Sequence, residues 1–314
     1  MTSKLKGIHT VYTKPNRGDL KKIHQMMYFE VITMAMSCLY WKKLYGPVKL
    51  YCDKPFLEYI KKLDLIWLWD EIDSTTIDSV LVPNVNYDIF WAYPKMVINS
   101  LQTEPFASLD LDLFLSEKLN FNDEDIYYSH IELGDAHNEG NEKITCVSYP
   151  DFHKWDRFKS VLTKLNELNI PDWVINVSIV VFNNTEICKK LLQYTEEFIV
   201  GNYYKPKGQI HPATPMTFVE QRMLAAIVEN FNYTHKSIIG NKYDPVESKF
   251  INSENFKNPG ITHLWGLKHK FRVEMFEEMK RDFTKEIEDE FKENFPKEFS
   301  RIERSGKVTK FCPR

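Results

Sequence analysis

The sequence predicts an α/β protein built on a mainly parallel central sheet that is flanked by helices. Three observations favour this class. Strand and helix patterns alternate along the first third of the chain, the longest pattern has apolar residues at helical spacing, and polar residues follow several strand segments. Because ligands of such sheets lie beyond the carboxyl ends of the strands, these polar residues are the first candidates for a functional site.

Regular alternation marks the first half of the chain. Apolar residues recur at steps of three and four from residue 20 to residue 45, and Gly46-Pro47 ends that predicted helix. The remaining segments of this half are shorter. We predict strands over residues 7–12 and 48–52, near residues 66–68 and over residues 105–109, and helices over residues 56–63 and 91–102.

The second half is less regular. We predict strands over residues 125–130 and 144–148 and along the β-prone run 173–182, helices over residues 186–198 and 218–230, and a long loop over residues 201–216. Phenylalanines recur at helical steps among charged residues between positions 276 and 295, which predicts an amphipathic helix. We therefore divide the chain into one α/β domain, residues 1–270, and a C-terminal helical extension, residues 271–314.

Composition narrows the class of protein. Of the 314 residues, 43% are hydrophobic and 27% are charged, as in ordinary globular proteins. The formal net charge of −3 argues against a nucleic-acid partner held by a basic surface. The N-terminal residues lack the apolar region of a signal peptide, and no stretch approaches the length of a membrane span. The five cysteines are widely spaced without a C-x-x-C pair, which predicts reduced thiols and a cytoplasmic location.

The most informative segment is Asp110-Leu111-Asp112, which follows the apolar strand predicted over residues 105–109. Residues i and i+2 of an extended segment project the same way, so both carboxylates can face one cation. Oxygen ligands of this kind suit Mg²⁺ or Mn²⁺, which keep open positions for phosphates. The alternative is that Asp110 and Asp112 are two solvated aspartates in a turn.

The surrounding segment resembles the core of the GT-A fold glycosyltransferases. In those enzymes a helix that carries Lys or Arg, here the one with Lys95, precedes an apolar strand ending in D-x-D. The segment is similar to the glycogenin-like families and to bacterial and viral glycosyltransferase-like proteins. The resemblance implies a Rossmann-like GT-A fold, Mn²⁺ or Mg²⁺, a nucleotide-sugar donor with a UDP-sugar favoured, and a carbohydrate or glycoconjugate acceptor.

Three later places resemble the same enzymes. Asn176-Val177-Ser178 lies where they have a strand that faces the sugars, and Glu220-Gln221 lies where an acidic residue and a Gln begin a helix near the donor. The resemblance makes Glu220 the nearest candidate for a catalytic base. His263-Leu264-Trp265-Gly266-Leu267-Lys268 resembles the late H-x-x-G-x-x-K element, although its Lys comes one residue early. It implies that His263 is the third metal ligand, and that Gly266 and Lys268 approach the donor phosphates.

Position relative to the predicted sheet suggests further donor-binding residues. Thr10, Tyr12 and Asp53 follow or end the first two strands, and Lys95 lies on the helix before the D-x-D segment. Lys95 is also explained as a solvated helix residue, and His263 as a surface histidine. His130 and Glu132, on a predicted strand, are candidates for the acceptor site.

Two other functions remain open at this point. Leu109-Asp110-Leu111-Asp112 also resembles the motif of haloacid-dehalogenase-type phosphatases, in which the first Asp attacks phosphorus and the second protonates the leaving group. That motif normally lies on the first strand, whereas this one begins at position 109. The other alternative is a protein that binds nucleotide sugars or carbohydrates without turnover.

Overall fold

The structure is a computed structural model. It describes residues 4–13, 26–82, 85–133, 168–169, 171, 173–201, 214–238, 257–258, 260–264 and 277–308. The chain forms two compact units. Unit 1 comprises residues 1–79, 109–119 and 253–314, and unit 2 comprises residues 80–108 and 120–252. The chain thus leaves unit 1 twice and returns to it twice. The division at residue 270 made from the sequence stays a prediction.

Unit 1 contains three parallel strands joined by helices. The strands are β1 (Lys6–Val11), β2 (Val48–Cys52) and β3 (Glu71–Asp73), with β2 paired to both neighbours. Among the described residues, α1 (Tyr28–Leu44) lies between β1 and β2, α2 (Lys54–Lys62) follows β2, and α3 (Thr76–Val80) follows β3. The pairing β1–β2–β3 is the strand–helix–strand arrangement that the alternating pattern predicts.

One element of unit 1 was predicted wrongly. Residues 66–68 form a turn of 3₁₀ helix, Ile66–Leu68, and the strand begins later, at Glu71. The backbone N–H of Leu68 donates to the carbonyl of Leu65 at 3.0 Å, which closes the turn. A short apolar run carries no periodicity that separates a strand from a helical turn, and this one was assigned to the wrong class.

A small antiparallel sheet completes the strands of unit 1. It comprises β5 (Leu113–Leu115), β11 (Lys257–Asn258) and β12 (Ile261–His263), in the order β11-β12-β5. Gly260 makes the turn before β12 at a φ of 80°, a backbone conformation that a side chain disfavours. The sheet therefore brings a late segment of the chain against the segment that follows Asp110 and Asp112.

Helix α1 is buried because it packs on two sides. It contacts β5 and also α8 (Glu277–Asn294), the predicted amphipathic helix, which is followed by α9 (Pro296–Ser305). The ring of Tyr40 stacks on Phe114 with centroids 5.3 Å apart, and it meets Phe295 edge to face at 4.9 Å. The C-terminal helices thus cover the core of unit 1 with their apolar side.

The close approach of α1 to β1 depends on Gly7. A Cβ atom at this position would lie 2.7 Å from Cδ1 of Trp41 and 3.0 Å from Cδ1 of Leu109. We expect Gly7→Ala to lower the free energy of unfolding by about 1–3 kcal/mol, because the fully packed Trp41 ring has to move. Urea denaturation of both proteins measures this difference, and an unchanged midpoint would mean that the ring moves aside without cost.

Unit 2 combines a mixed set of strands with helices. Its strands β4 (Phe106–Leu109, whose last residue begins a segment of unit 1), β6 (Ile126–Tyr128), β9 (Ile179–Phe182) and β10 (His235–Ser237) have the order β10-β6-β9-β4. Strand β6 is parallel to β10 and antiparallel to β9. A separate antiparallel pair comprises β7 (Ile131–Leu133) and β8 (Trp173–Ile175). The helices are α4 (Tyr93–Ser100), α5 (Glu186–Gly201), α6 (Thr214–Thr217) and α7 (Met223–Asn230), with a π-helical turn, Phe218–Arg222, between the last two.

The β-prone run 173–182 is two strands with different partners rather than one. It breaks at Asn176, whose side-chain oxygen accepts a hydrogen bond from the backbone N–H of Ser178 at 3.1 Å. An Asn side chain that binds the backbone two residues later favours a turn over a continuous strand. The polar residues in the run were therefore the signal for a break.

The predicted class is confirmed: the protein is α/β, with a mainly parallel sheet and flanking helices. Among the described residues no helix is both long and apolar enough to cross a membrane. Cys38, Cys52 and Cys188 are buried free thiols, whereas Cys146 and Cys312 lie outside the described residues, so reduced thiols throughout stay a prediction. The predicted strand 144–148 and most of the predicted loop 201–216 lie outside the described residues.

Candidate functional site

Three potential metal ligands of unit 1 lie together. Asp110, Asp112 and His263 each offer one ligand atom, and these atoms all lie within 4.8 Å of one another. Nε2 of His263 is 3.9 Å from Oδ1 of Asp112, and both side chains are 13% exposed. The structure therefore brings together the three residues that the sequence predicts as a metal site, although two of them are far from the third along the chain.

Strand pairing explains how His263 reaches the aspartates. Strands β5 and β12 are antiparallel, and their register places His263 opposite Leu113, the residue after Asp112. The backbone N–H of Leu264 donates to the carbonyl of Asp112 at 2.9 Å and continues this ladder. Backbone hydrogen bonds thus fix the separation of the imidazole from the second aspartate.

The donor set suits a small divalent cation. Ligand atoms about 2.1 Å from one cation lie at most about 4.2 Å apart. The 3.9 Å between Nε2 of His263 and Oδ1 of Asp112 is within this limit, whereas the bound of 4.8 Å on the three atoms exceeds it, so small side-chain rotations would bring all three onto one cation. Two carboxylates and an imidazole suit Mn²⁺, which accepts nitrogen, and the carboxylates alone suit Mg²⁺. An ion pair between Asp112 and a protonated His263 is the alternative, and it involves one carboxylate rather than two.

The backbone carbonyl of the first aspartate accepts a hydrogen bond from α1. Oγ of Ser37, a buried residue of that helix, donates to the carbonyl oxygen of Asp110 at 3.4 Å. Ser37 in turn lies 3.1 Å from Nε2 of His9, which is fully buried in β1. Burial lowers the pKa of His9 to about 3, so its imidazole is neutral at physiological pH. Neither Ser37 nor His9 was predicted from the sequence as part of a site.

The predicted residues at the ends of β1 and β2 have defined positions. Asp53 is fully buried, and its carboxylate accepts hydrogen bonds from the backbone N–H of Phe56 at 3.2 Å and from the N–H and hydroxyl of Thr13 at 2.9 and 2.6 Å. It therefore caps α2 and ties β2 to the segment after β1. Within the described part of the chain, Oγ1 of Thr10 is buried without a hydrogen-bond partner. Tyr12 is the residue directly after β1.

A second polar cluster lies within unit 2. Nζ of Lys95, on α4, donates to the carbonyl of Val177 at 3.1 Å and lies 3.4 Å from Oε1 of Glu220. The side chains of Lys95 and Glu220 are only 14% and 12% exposed. Val177 stands between Asn176 and Ser178, whose hydroxyl is buried without a partner among the described residues. Four residues predicted from separate segments thus belong to one region of this unit.

Other predicted residues are placed only in part. His130 is buried, and its Nδ1 lies 3.0 Å from the hydroxyl of Ser129, so its ring is held inside unit 2. Gly266 and Lys268 lie outside the described residues, as does the side chain of Glu132.

Comparisons with known proteins give one family match and several distant structural likenesses. The model of a family of unknown function, DUF6734, matches residues 6–303, nearly the whole chain. No curated protein matches the sequence.

The solved structures that the chain resembles include three glycosyltransferases. They are the bifunctional glycosyltransferase WbbM in its apo form (10% identity, 85% of this chain and 46% of that chain, TM-score 0.44), mouse xyloside xylosyltransferase 1 in its apo form (11%, 83% and 96%, 0.40) and the galactosyltransferase LgtC with donor and acceptor sugar analogues (9%, 82% and 86%, 0.38). This chain spans about half the length of WbbM. All three TM-scores lie below 0.5, so these are distant likenesses.

Proposed function

Since the chain belongs to DUF6734, a family of unknown function, we propose its activity from its own residues: it is a metal-dependent glycosyltransferase. It moves a sugar from a nucleotide diphosphate sugar, with a UDP-sugar favoured, to a hydroxyl of a carbohydrate or glycoconjugate acceptor. The cluster of Asp110, Asp112 and His263 carries this proposal, because it is a donor set for Mn²⁺ or Mg²⁺ directly after a strand. We place the activity in the cytoplasm, in keeping with the buried free thiols.

The three ligands would hold the cation and leave its remaining positions for the donor. The chemistry that a bound divalent cation supplies here is neutralisation of the negative charge that develops on the leaving diphosphate. The protein's part is to fix Asp110 and Asp112 in a turn whose carbonyl oxygens accept hydrogen bonds from Ser37 and Leu264. Ligands held in this way lose little freedom when the cation binds.

The polar cluster of unit 2 supplies the remaining proposed roles. Glu220 is the proposed base, and its Oε1 would accept the proton of the acceptor hydroxyl. The neighbouring ammonium of Lys95, at 3.4 Å, favours the ionised carboxylate that this role requires. Lys95, Asn176 and Ser178 are proposed to bind the donor, and so are the residues placed by strand position or by resemblance, which are Thr10, Tyr12, Asp53, Gly266 and Lys268. The three hydrogen bonds of Asp53 support a role in positioning the end of β1.

Neither alternative gains support from the described residues. In the phosphatase hypothesis Asp110 would attack phosphorus from the end of the first strand, whereas it follows β4, the fourth strand among the residues that the structure describes. A binding protein without turnover would keep the cluster of three ligands, so only an activity assay separates it from the proposed enzyme.

Removal of divalent cations is expected to abolish turnover. A panel of nucleotide sugars is assayed for hydrolysis and transfer with the protein as purified, after exhaustive chelation, and after addition of Mn²⁺ or Mg²⁺. We expect no turnover after chelation and recovery with either cation, because the donor diphosphate would be held through the metal. Full activity in the chelated protein would refute the metal-dependent mechanism, and cation-dependent donor binding without any turnover would favour the binding protein.

A further inference from the structure

A row of buried side chains runs from Trp69 through His9 of β1 and Ser37 of α1 to the backbone of Asp110. The indole N–H of Trp69 lies 3.0 Å from Nδ1 of His9, Nε2 of His9 lies 3.1 Å from Oγ of Ser37, and that hydroxyl lies 3.4 Å from the carbonyl oxygen of Asp110. All four residues belong to unit 1. Trp69, His9 and Ser37 are 5%, 0% and 3% exposed, so water does not compete for these bonds.

The direction of the row is fixed at its first member. An indole N–H can only donate, so Nδ1 of His9 accepts and carries no proton. The neutral imidazole then has its proton on Nε2 and donates it to Oγ of Ser37. The hydroxyl proton of Ser37 is left to donate to Asp110, as the geometry requires. Sγ of Cys38 lies 3.6 Å from the same Nδ1 and adds a weak donor that supports this tautomer.

The row ends at the carbonyl of Asp110, a proposed metal ligand, so it bears on more than packing. Of its three side chains, those of Trp69, His9 and Ser37, only that of His9 is ionisable. Burial holds this imidazole neutral, so the row polarises in one direction without gaining a charge. Its last acceptor is the carbonyl of the first D-x-D aspartate, two residues before the carbonyl of Asp112, which accepts from the backbone N–H of Leu264. The two carbonyls of the D-x-D turn are thus each fixed by a hydrogen bond from a different segment of unit 1.

We propose that His9 and Ser37 are positioning residues for the metal centre, and that they act by fixing the backbone of Asp110. This rests on the proposed metal-dependent function. Neither residue touches the cation or the donor. Groups that orient a ligand in this way typically change metal affinity or activity by about 10- to 100-fold when removed. The bond from Ser37 to Asp110 is long, so we place its effect at the lower end of that range.

A purely structural role predicts a different pattern. A buried row of polar groups that only satisfies its own hydrogen bonds would lower stability when it is broken, as any buried pair does. It would leave the metal affinity of the folded protein unchanged. The two roles are therefore separated by measuring affinity for the cation alone, at a temperature where every variant is folded.

The test compares Ser37→Ala with Thr33→Val, which is a matched control. Thr33 lies one turn earlier on α1, is equally buried, and donates its hydroxyl to the carbonyl of Phe29 at 2.7 Å, away from the row. Each variant removes one buried hydroxyl from the same helix. Titration of Mn²⁺ alone into the full chain, followed by electron paramagnetic resonance, is expected to show about tenfold weaker binding for Ser37→Ala and wild-type binding for Thr33→Val.

Two further variants protect the test against misfolding. Ser37→Thr retains the hydroxyl and is expected to recover most of the Mn²⁺ affinity. Trp69→Phe removes the N–H that fixes the tautomer of His9 and is expected to lie between wild type and Ser37→Ala. Equal Mn²⁺ affinity in wild type and Ser37→Ala, or equal losses in Ser37→Ala and Thr33→Val, would overturn the positioning role. A wild-type chain that binds no divalent cation would refute the proposed function and the positioning role together, which is a distinct result.

Discussion

Asp112→Asn is expected to remove nearly all transferase activity while leaving the protein folded. Its carboxylate is one of the two that the metal centre requires, and an amide oxygen is a weaker, uncharged ligand. We expect a loss on the order of 100-fold or more in kcat/KM, at the upper end of the effects seen when a metal's surroundings are altered. Asp112 lies within 4.8 Å of Asp110, so losing one charge also relieves repulsion between like charges.

The reduced repulsion between Asp110 and residue 112 can be tested by a second measurement, the melting temperature. The melting temperature of the metal-free variant is expected to equal or exceed that of the metal-free wild type, as is common when a charge kept for function is removed. Asp78→Asn, an exposed aspartate of α3, is the matched control and is expected to keep wild-type activity. Near wild-type turnover in Asp112→Asn would place the metal site elsewhere. A melting temperature well below that of Asp78→Asn would mean that Asp112 is a structural residue.

His263→Ala is expected to weaken the metal and the donor together. If the imidazole is the third ligand, its loss lowers the affinity for Mn²⁺ by about 10- to 100-fold. Donor binding in the presence of Mn²⁺ falls with it, because the diphosphate is held through the cation, whereas donor binding without metal hardly changes. Calorimetric titration of Mn²⁺ with and without a nucleoside diphosphate measures both effects.

His235→Ala is the matched control for this variant. His235 also lies beside a carboxylate, with Nε2 3.6 Å from Oε1 of Glu229, but within the described ranges this pair is not part of a group of three metal ligands. We expect its loss to leave Mn²⁺ binding at the wild-type level. Identical Mn²⁺ curves for wild type and His263→Ala would leave only Asp110 and Asp112 as protein ligands.

Several residues of the candidate site were predictable because they are polar and directly follow an apolar strand or lie on the helix before it. A carboxylate pair after an apolar strand and a lysine on the preceding helix both leave local marks in the sequence, whereas the break of the run 173–182 at Asn176 was not predicted. The match of Asp110 and Asp112 with His263 needed the resemblance as well. No local pattern records the register of β5 on β12, which is what brings these segments together.

There are physical reasons why His9 and Ser37 were not predicted from the sequence. His9 stands in β1 beside Thr10, and Ser37 stands in a helix that also carries Thr33, so neither residue is marked out by its neighbours in the sequence. Their significance comes from a hydrogen-bonded row between segments that are distant in sequence. The error at residues 66–68 is of another kind, because three apolar residues fit a strand and a helical turn equally well.

The order of the chain in unit 1 has a consequence for its synthesis. Residues 1–79 are translated first, yet the helix that covers α1 and the strand that carries His263 come from the segment that begins at residue 253. During translation, the rings of Phe29 and Tyr40 therefore lack their packing partners, Phe283 and Phe295, until all of unit 2 has been synthesised. We expect the nascent chain to expose an apolar helix through most of translation, so that it binds chaperones that capture such surfaces. The proposed metal centre can form only after that segment has been made, and a chain that stops before residue 257 would lack both the helix that covers α1 and the proposed third ligand.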